Sequence, residues 1–215
     1  MIKDSLIIGI CGGSGSGKTT IIHELMHLLK AHRPALLSMD NYYKDIHEQE
    51  VDELGKINFD LPTAIDSEKF CSDLKKLRHS ESLHLKKYQF NIKDREEFID
   101  IPHSKVILTE GIFLFNIPEA MEMIDVKIYV ELDHQLQFER RLQRDVVERG
   151  YDEKAVRYQW QNHVMPAFKA FIEIHKKEAD IIVGNDGDLS HLVDQVDRHV
   201  LSHPFISRFC YAVNQ

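Results

Sequence analysis

Residues 12–20 read GGSGSGKTT. Within them, Gly12 to Thr19 fit G-x-x-x-x-G-K-[ST], a spacing that lets backbone amides close around phosphate groups. Gly12, Gly15 and Gly17 relieve the steric limits on backbone approach. Gly13, Ser14 and Ser16 complete a loop of small residues, and Thr20 continues it into the following segment. Lys18 can reach the β- and γ-phosphates, and the Thr19 hydroxyl can ligate Mg²⁺. This stretch points to nucleotide binding and phosphoryl transfer, with ATP or GTP as donor.

A second pattern overlaps the first. His23 to His27 spell H-E-x-x-H, the helix signature of zinc proteases. In the same stretch Ile21, Ile22, Leu25, Leu28 and Leu29 recur at helical spacing and define a buried face. His23, Glu24 and His27 fall on the opposite side. A zinc protease needs a third ligand and a cleft over that face, and no downstream partner pattern is present. The histidines are expected to face solvent.

Two carboxylates follow apolar runs, Asp40 after residues 35–39 and Glu110 after 106–109. In parallel α/β sheets, ligands bind at the carboxyl ends of the strands. Asp40, ionised at neutral pH as aspartates ordinarily are, suits the group that takes a proton from an acceptor hydroxyl. Glu110 suits Mg²⁺ or its water shell. Arg140, Arg141, Arg144, Arg149 and Arg157 form a basic cluster, with Arg141 and Arg144 on one helical face. A transferring phosphoryl group needs cationic donors beyond the loop. Arginine's planar fork supplies them, often from a mobile lid. The competing role is a solvated helix paired with Glu139, Asp145 and Glu148.

The scaffold for these residues follows from periodicity. Residues 6–11 form a short apolar run ahead of the glycines, as a buried parallel strand does. Residues 18–32 carry the helical stripe just described, and 35–39 form a second strand. The polar segment 41–62 is expected to be a loop on the acceptor side, and 67–78 a helix. Residues 83–101 alternate around a charged turn and suggest a hairpin excursion. Further buried strands are expected at 106–108, 126–130 and 181–183. Helices are expected at 134–148, at 153–177 with a kink or break at Pro166, and near 189–201.

Strand and helix therefore alternate at βαβ spacing. The fold class is α/β: a P-loop NTPase-type, doubly wound parallel sheet of about five strands, with helices on both faces. The hairpin insert spans about 83–101, and an Arg-rich helical lid about 137–157. Residues 1–203 make one domain, and 204–215 form a tail with no readable signal.

Bulk properties limit the partners. The chain has 215 residues, 43% hydrophobic and 29% charged, enough for one buried core. A net charge of −8 argues against general nucleic-acid or membrane-surface binding. Cys11, Cys71 and Cys210 are widely separated, which points to free thiols in a reducing compartment. No stretch matches a signal peptide or a membrane span, so a cytoplasmic location is expected.

Further stretches stand beside GGSGSGKTT: MDNYY at 39–43, NFDLPTAID at 58–66, TEGI at 109–112, RRLQRDVVERG at 140–150, MPAF at 165–168 and ADIIV at 179–183. In this order they resemble the uridine kinase (uridine–cytidine kinase) family of P-loop kinases, over nearly all of residues 5–200. The resemblance implies an ATP- or GTP-dependent, Mg²⁺-requiring kinase. Its acceptor would be the 5′-hydroxyl of uridine or cytidine, in pyrimidine salvage, and a homo-oligomer (dimer or tetramer) is implied.

By position, the resemblance places Tyr43 and Phe59 against the base, and Asp60 with Arg141 on the ribose hydroxyls. It places Arg144 on the donor phosphates, and Thr19 and Glu110 with Asp40 around Mg²⁺. Arg149 and Gln159 match lid-side positions. Two departures stand out. The family's Tyr-Asp-Tyr/Phe and base-reading histidine become Tyr88-Gln89-Phe90 with Lys93, and a second lid arginine becomes Tyr151. A lysine donates hydrogen bonds and accepts none, so Lys93 reads a base differently from a neutral imidazole. Two alternatives stay open: a kinase of a phosphosugar or pantothenate-like hydroxyl compound, and a nucleotide-binding switch without a small acceptor.

Overall fold

The computed structural model describes residues 5–91, 96–185 and 197–203. Lys93, the tail 204–215 and most of the helix expected near 189–201 lie outside the described residues. The strands are β1 (Leu6–Gly12), β2 (Ala35–Ser38), β3 (Leu83–Lys86), β4 (Phe98–Ile101), β5 (Val106–Glu110), β6 (Val126–Glu131) and β7 (Ile181–Gly184). Five of them form a parallel sheet in the order β2-β5-β1-β6-β7. β3 and β4 pair antiparallel as a separate hairpin.

Every residue of β1 is buried, because a sheet covered on both faces has no wet side. Its side chains divide between two cores, as the two-residue period of a strand requires. Leu6, Ile8 and Ile10 pack with Ile21, Ile22 and Leu25 of α1 (Lys18–Leu28). Ile7 and Cys11 join Phe70, Leu74 and Leu77 of α2 (Ser67–Arg78), together with Phe113 and Phe115. On α1, His23, Glu24 and His27 are exposed, and among the described residues no third ligand joins them. The zinc pattern is the outer face of a helix.

α3 (Pro118–Met123), which the periodicity did not single out, is only six residues long, too short for a helical stripe to register. α4 (His134–Val147) starts at Asp133, whose carboxylate accepts from the amides of Gln135 and Leu136 at 2.8 and 3.3 Å. α5 (Glu153–Gln159) starts in the same way at Asp152.

Pro166 does not break the helix that follows. Helical dihedrals continue from Val164 to Phe168, flanked by π turns at Trp160–Val164 and Phe168–Ile172. A π turn widens the backbone by one residue. That widening relieves the clash of a proline ring with the carbonyl one turn back. Among the described residues, no helix is long and apolar enough to cross a membrane.

Candidate active site

The loop after β1 carries its function in its backbone. Gly15 (φ 78°) and Gly17 (φ 90°) lie in the left-handed region that side chains disfavour. Space is also restricted: a Cβ on Gly15 would strike the Gln137 carbonyl, and one on Gly17 the Asn185 amide. Gly17 caps α1, whose first turn has no acidic side chain, so its free amides and positive dipole end face the loop. Lys18 Nζ donates to the carbonyls of Gly12 at 3.0 Å and Gly13 at 3.2 Å, which holds its ammonium at the loop.

The two strand-end acids are coupled through one hydroxyl. Ser38 Oγ donates to Glu110 Oε1 and accepts the Asp40 amide at 3.2 Å. Asp40 sits in the 3₁₀ turn Met39–Tyr42 directly after β2, and Glu110 ends β5, the neighbouring strand. Burial, reinforced by the charge of Asp40, pushes the Glu110 carboxyl up to about 7, while Lys18 and the Ser38 hydroxyl oppose the rise.

On the acceptor side, Tyr43 is ringed by Phe59, Tyr88 and Phe90, with centroids at 6.1, 5.3 and 5.2 Å. Such geometries suit aromatic packing and leave ring faces for a planar ligand. Arg141 meets Asp60 through two hydrogen bonds of 3.1 and 3.4 Å, and also donates to Ser14 Oγ at 3.1 Å and Gln159 Oε1 at 3.4 Å. The pair therefore touches the phosphate loop, the acceptor loop and the lid at once.

Asp145, nearly fully buried, is the centre of the lid. Its carboxylate lies 3.2 Å from Arg141, 2.8 Å from Arg144 and 3.2 Å from Arg149. Sequence reasoning assigned Asp145 to the competing solvated-helix role; here it gathers the functional arginines. Arg149 also lies over the Phe90 ring at 4.0 Å, and its carbonyl accepts from Asn91 Nδ2, which ties hairpin to lid.

Two further features escaped the sequence. Asn185, just after β7, donates from Nδ2 to the Ser16 carbonyl at 3.0 Å, and its own carbonyl accepts from Arg140. The strand-end rule that singled out Asp40 and Glu110 also points to Asn185. The second is Asp52, which accepts from the Tyr158 hydroxyl at 2.6 Å and pairs with His163 Nε2 at 2.8 Å. The Tyr158 bond, more than any other contact, holds the Asp52 carboxyl well below the usual range. Nothing in local sequence marks a contact across 111 residues.

One cleft of about 440 Å³ takes in Lys18, Thr19, Asp40, Tyr43, Phe59, Asp60, Glu110, Arg141, Arg144, Arg149 and Gln159. Tyr88 stands at its edge through its contact with Tyr43. Tyr88 itself lines a neighbouring cavity that shares Tyr43, Phe59 and Gln159 with this cleft, Arg157 stands outside both, exposed and paired with Glu153, and Lys93 lies outside the described residues. The cleft's donor set fits a nucleotide with Mg²⁺: a loop of amides and a lysine for phosphate, and a hydroxyl with two carboxylates, the hard oxygen donors Mg²⁺ prefers. Cys11 and Cys71 are free and buried.

Comparison with known proteins agrees with this geometry. The phosphoribulokinase / uridine kinase family profile matches residues 7–189. A uridine kinase from Staphylococcus aureus (strain JH9) is 40% identical over 194 residues, covering 90% of this chain and 94% of the relative. Phosphoribulokinase from Rhodobacter spheroides superposes with a TM-score of 0.63 at 16% identity, covering 85% of this chain and 71% of its own. D-glycerate 3-kinase from Cryptococcus neoformans gives 0.56 at 17%, covering 80% of each chain. The two structures share the fold; the family rests on the profile and the relative. The chain is a phosphoryl-transferring enzyme that belongs to the phosphoribulokinase / uridine kinase family.

Proposed function

We propose that this kinase transfers the terminal phosphoryl group of ATP or GTP to the 5′-hydroxyl of a pyrimidine ribonucleoside, uridine or cytidine. The observation that carries the reading is the Asp60–Arg141 pair, set beside an aromatic wall in the same cleft as Asp40. A carboxylate and a guanidinium together match a vicinal diol, and the rings match a flat base. A nucleotide switch needs neither. The uridine kinase relative supports the same acceptor.

In this reading Asp40 takes the proton of the 5′-hydroxyl as the oxygen attacks phosphorus. Gly12 to Thr20, with Lys18, hold the donor phosphates, and Arg144 and Arg149 neutralise charge that develops on the transferred group. Thr19, Asp40 and Glu110 would hold Mg²⁺, whose charge would offset that of the phosphate oxygens as the hydroxyl attacks. Tyr43, Phe59 and Tyr88 line the base, while Gln159 steadies Arg141 over the ribose. Lys93 keeps its assignment to the base edge. Pyrimidine salvage in the cytoplasm, by a homo-oligomer, is the setting this reading implies.

The test is a coupled ADP-release screen over uridine, cytidine, purine nucleosides, phosphosugars and pantothenate, with ATP and GTP in parallel. Turnover of uridine or cytidine to the 5′-monophosphate is expected. Turnover confined to phosphosugars or pantothenate would overturn the assignment.

A further inference from the structure

His163 is the buried group for which the proposed mechanism has no use. It is 2% exposed, lies four residues after Gln159 in the π turn Trp160–Val164, and lines the cleft with Asp60 and Arg141. π turns inside helices often re-aim a side chain at a functional site. The ring is held from behind. Asp52 Oδ1 accepts the amides of Leu54 and Lys56 at 2.9 and 2.8 Å, and Oδ2 accepts from the Tyr158 hydroxyl. A carboxylate so placed only accepts, so the His163 Nε2 bonded to it at 2.8 Å carries the hydrogen. When the ring is neutral, this bond sets its tautomer and leaves Nδ1 with its lone pair.

Nδ1 is buried and has no hydrogen-bond partner among the described residues. Native structures seldom leave a buried acceptor unpaired, and a residue facing a ligand cleft has an evident candidate partner. We propose that His163 is an acceptor-binding residue, its Nδ1 taking a hydrogen bond from an O–H or N–H group of the bound nucleoside. The inference rests on the nucleoside reading of the site and adds a specificity determinant to it. Asp52 and Tyr158 are positioning residues: they set which ring nitrogen carries the proton and hold the imidazole at the cleft. The donor on the ligand is a ribose hydroxyl or the pyrimidine N3–H, and both present the same chemistry to Nδ1.

Steady-state kinetics with uridine, 2′-deoxyuridine, 3′-deoxyuridine and N3-methyluridine separates these sources. The wild-type enzyme is expected to discriminate by about tenfold in kcat/KM against the analogue that lacks the donor. In His163→Leu that one discrimination should vanish, with KM for uridine raised about tenfold and KM for ATP moved less than twofold. Asp52→Asn, which keeps the ring but frees its tautomer, should weaken the same discrimination, and it decides the matter should His163→Leu not fold. An equal penalty for all four substrates in the variants would overturn the proposal, since water or packing would then satisfy Nδ1. If the wild-type enzyme turns over no nucleoside, the nucleoside reading falls and this inference with it. The two failures are thus distinct.

Discussion

Asp60 and Arg141, 81 residues apart, meet through paired hydrogen bonds of 3.1 and 3.4 Å with both side chains about nine-tenths buried. Asp60 comes from the loop beyond β2, and Arg141 from the lid helix α4. One ion pair therefore joins the acceptor loop to the lid. It survives burial because Asp145 compensates the other side of the guanidinium at 3.2 Å. Isolated buried charges are unfavourable, whereas paired and hydrogen-bonded ones are tolerated.

Asp60→Ala removes the bidentate partner and leaves Arg141 with Asp145. Breaking a buried pair costs about 3–5 kcal/mol, and the remaining carboxylate puts this loss near the lower end, about 3 kcal/mol. Urea denaturation should register that loss, and acceptor KM should rise with donor KM nearly unchanged. A stability change below about 1 kcal/mol would place the pair in the weak, solvent-screened class.

Asp40→Asn keeps the shape and removes the proton acceptor. General base catalysis contributes about 10²- to 10⁴-fold, so kcat should fall within that range. Calorimetric titration should show nucleotide affinity largely retained. Unchanged turnover would remove Asp40 from the base role.

Glu110 links stability to pH. Its carboxyl rises from an ordinary 4.5 to about 7 in the folded protein, through burial and then the Asp40 charge. Between those values the folded state holds a proton that the unfolded chain has lost. Its contribution is fully present below 4.5 and disappears as pH rises through 7. The unfolding free energy of the ligand-free enzyme should accordingly fall across that window. Glu110→Gln should flatten the fall by up to one proton in the linkage slope. Identical slopes in both proteins would show that other groups govern this range.

Gly17→Ala tests the loop. The left-handed φ of 90° strains any side chain, and the added methyl would run into Asn185. Nucleotide-induced stabilisation in a thermal melt should be lost, and a second change, Asn185→Gly, should restore part of it. Full nucleotide stabilisation in Gly17→Ala alone would contradict this crowding.

Local chemistry made much of this legible from residues alone. β1, the glycine loop and α1 form a continuous stretch in which each residue's role depends on near neighbours, so spacing sufficed. Asp40 and Glu110 were legible for the same reason, since each stands at the carboxyl end of its own strand. Strand periodicity yielded the sheet, and helical stripes the two layers around it. The short α3 and the π turns about Pro166 were not legible, because six residues give no stripe and dihedral continuity leaves no mark in composition.

By itself, then, the sequence determined the nucleotide-binding loop, the strand-end acids and the sheet that carries them. The family resemblance already set Arg141 beside Asp60; tertiary structure alone decided that the two bond each other directly, that Asp145 gathers three guanidinium groups, that Asn185 braces the loop from 169 residues away, and that Asp52 orients His163. The physical reason is the range of the interactions. Backbone conformation and amphipathic period are set within a turn or a strand, whereas buried polar groups find partners wherever the packed sheet brings them.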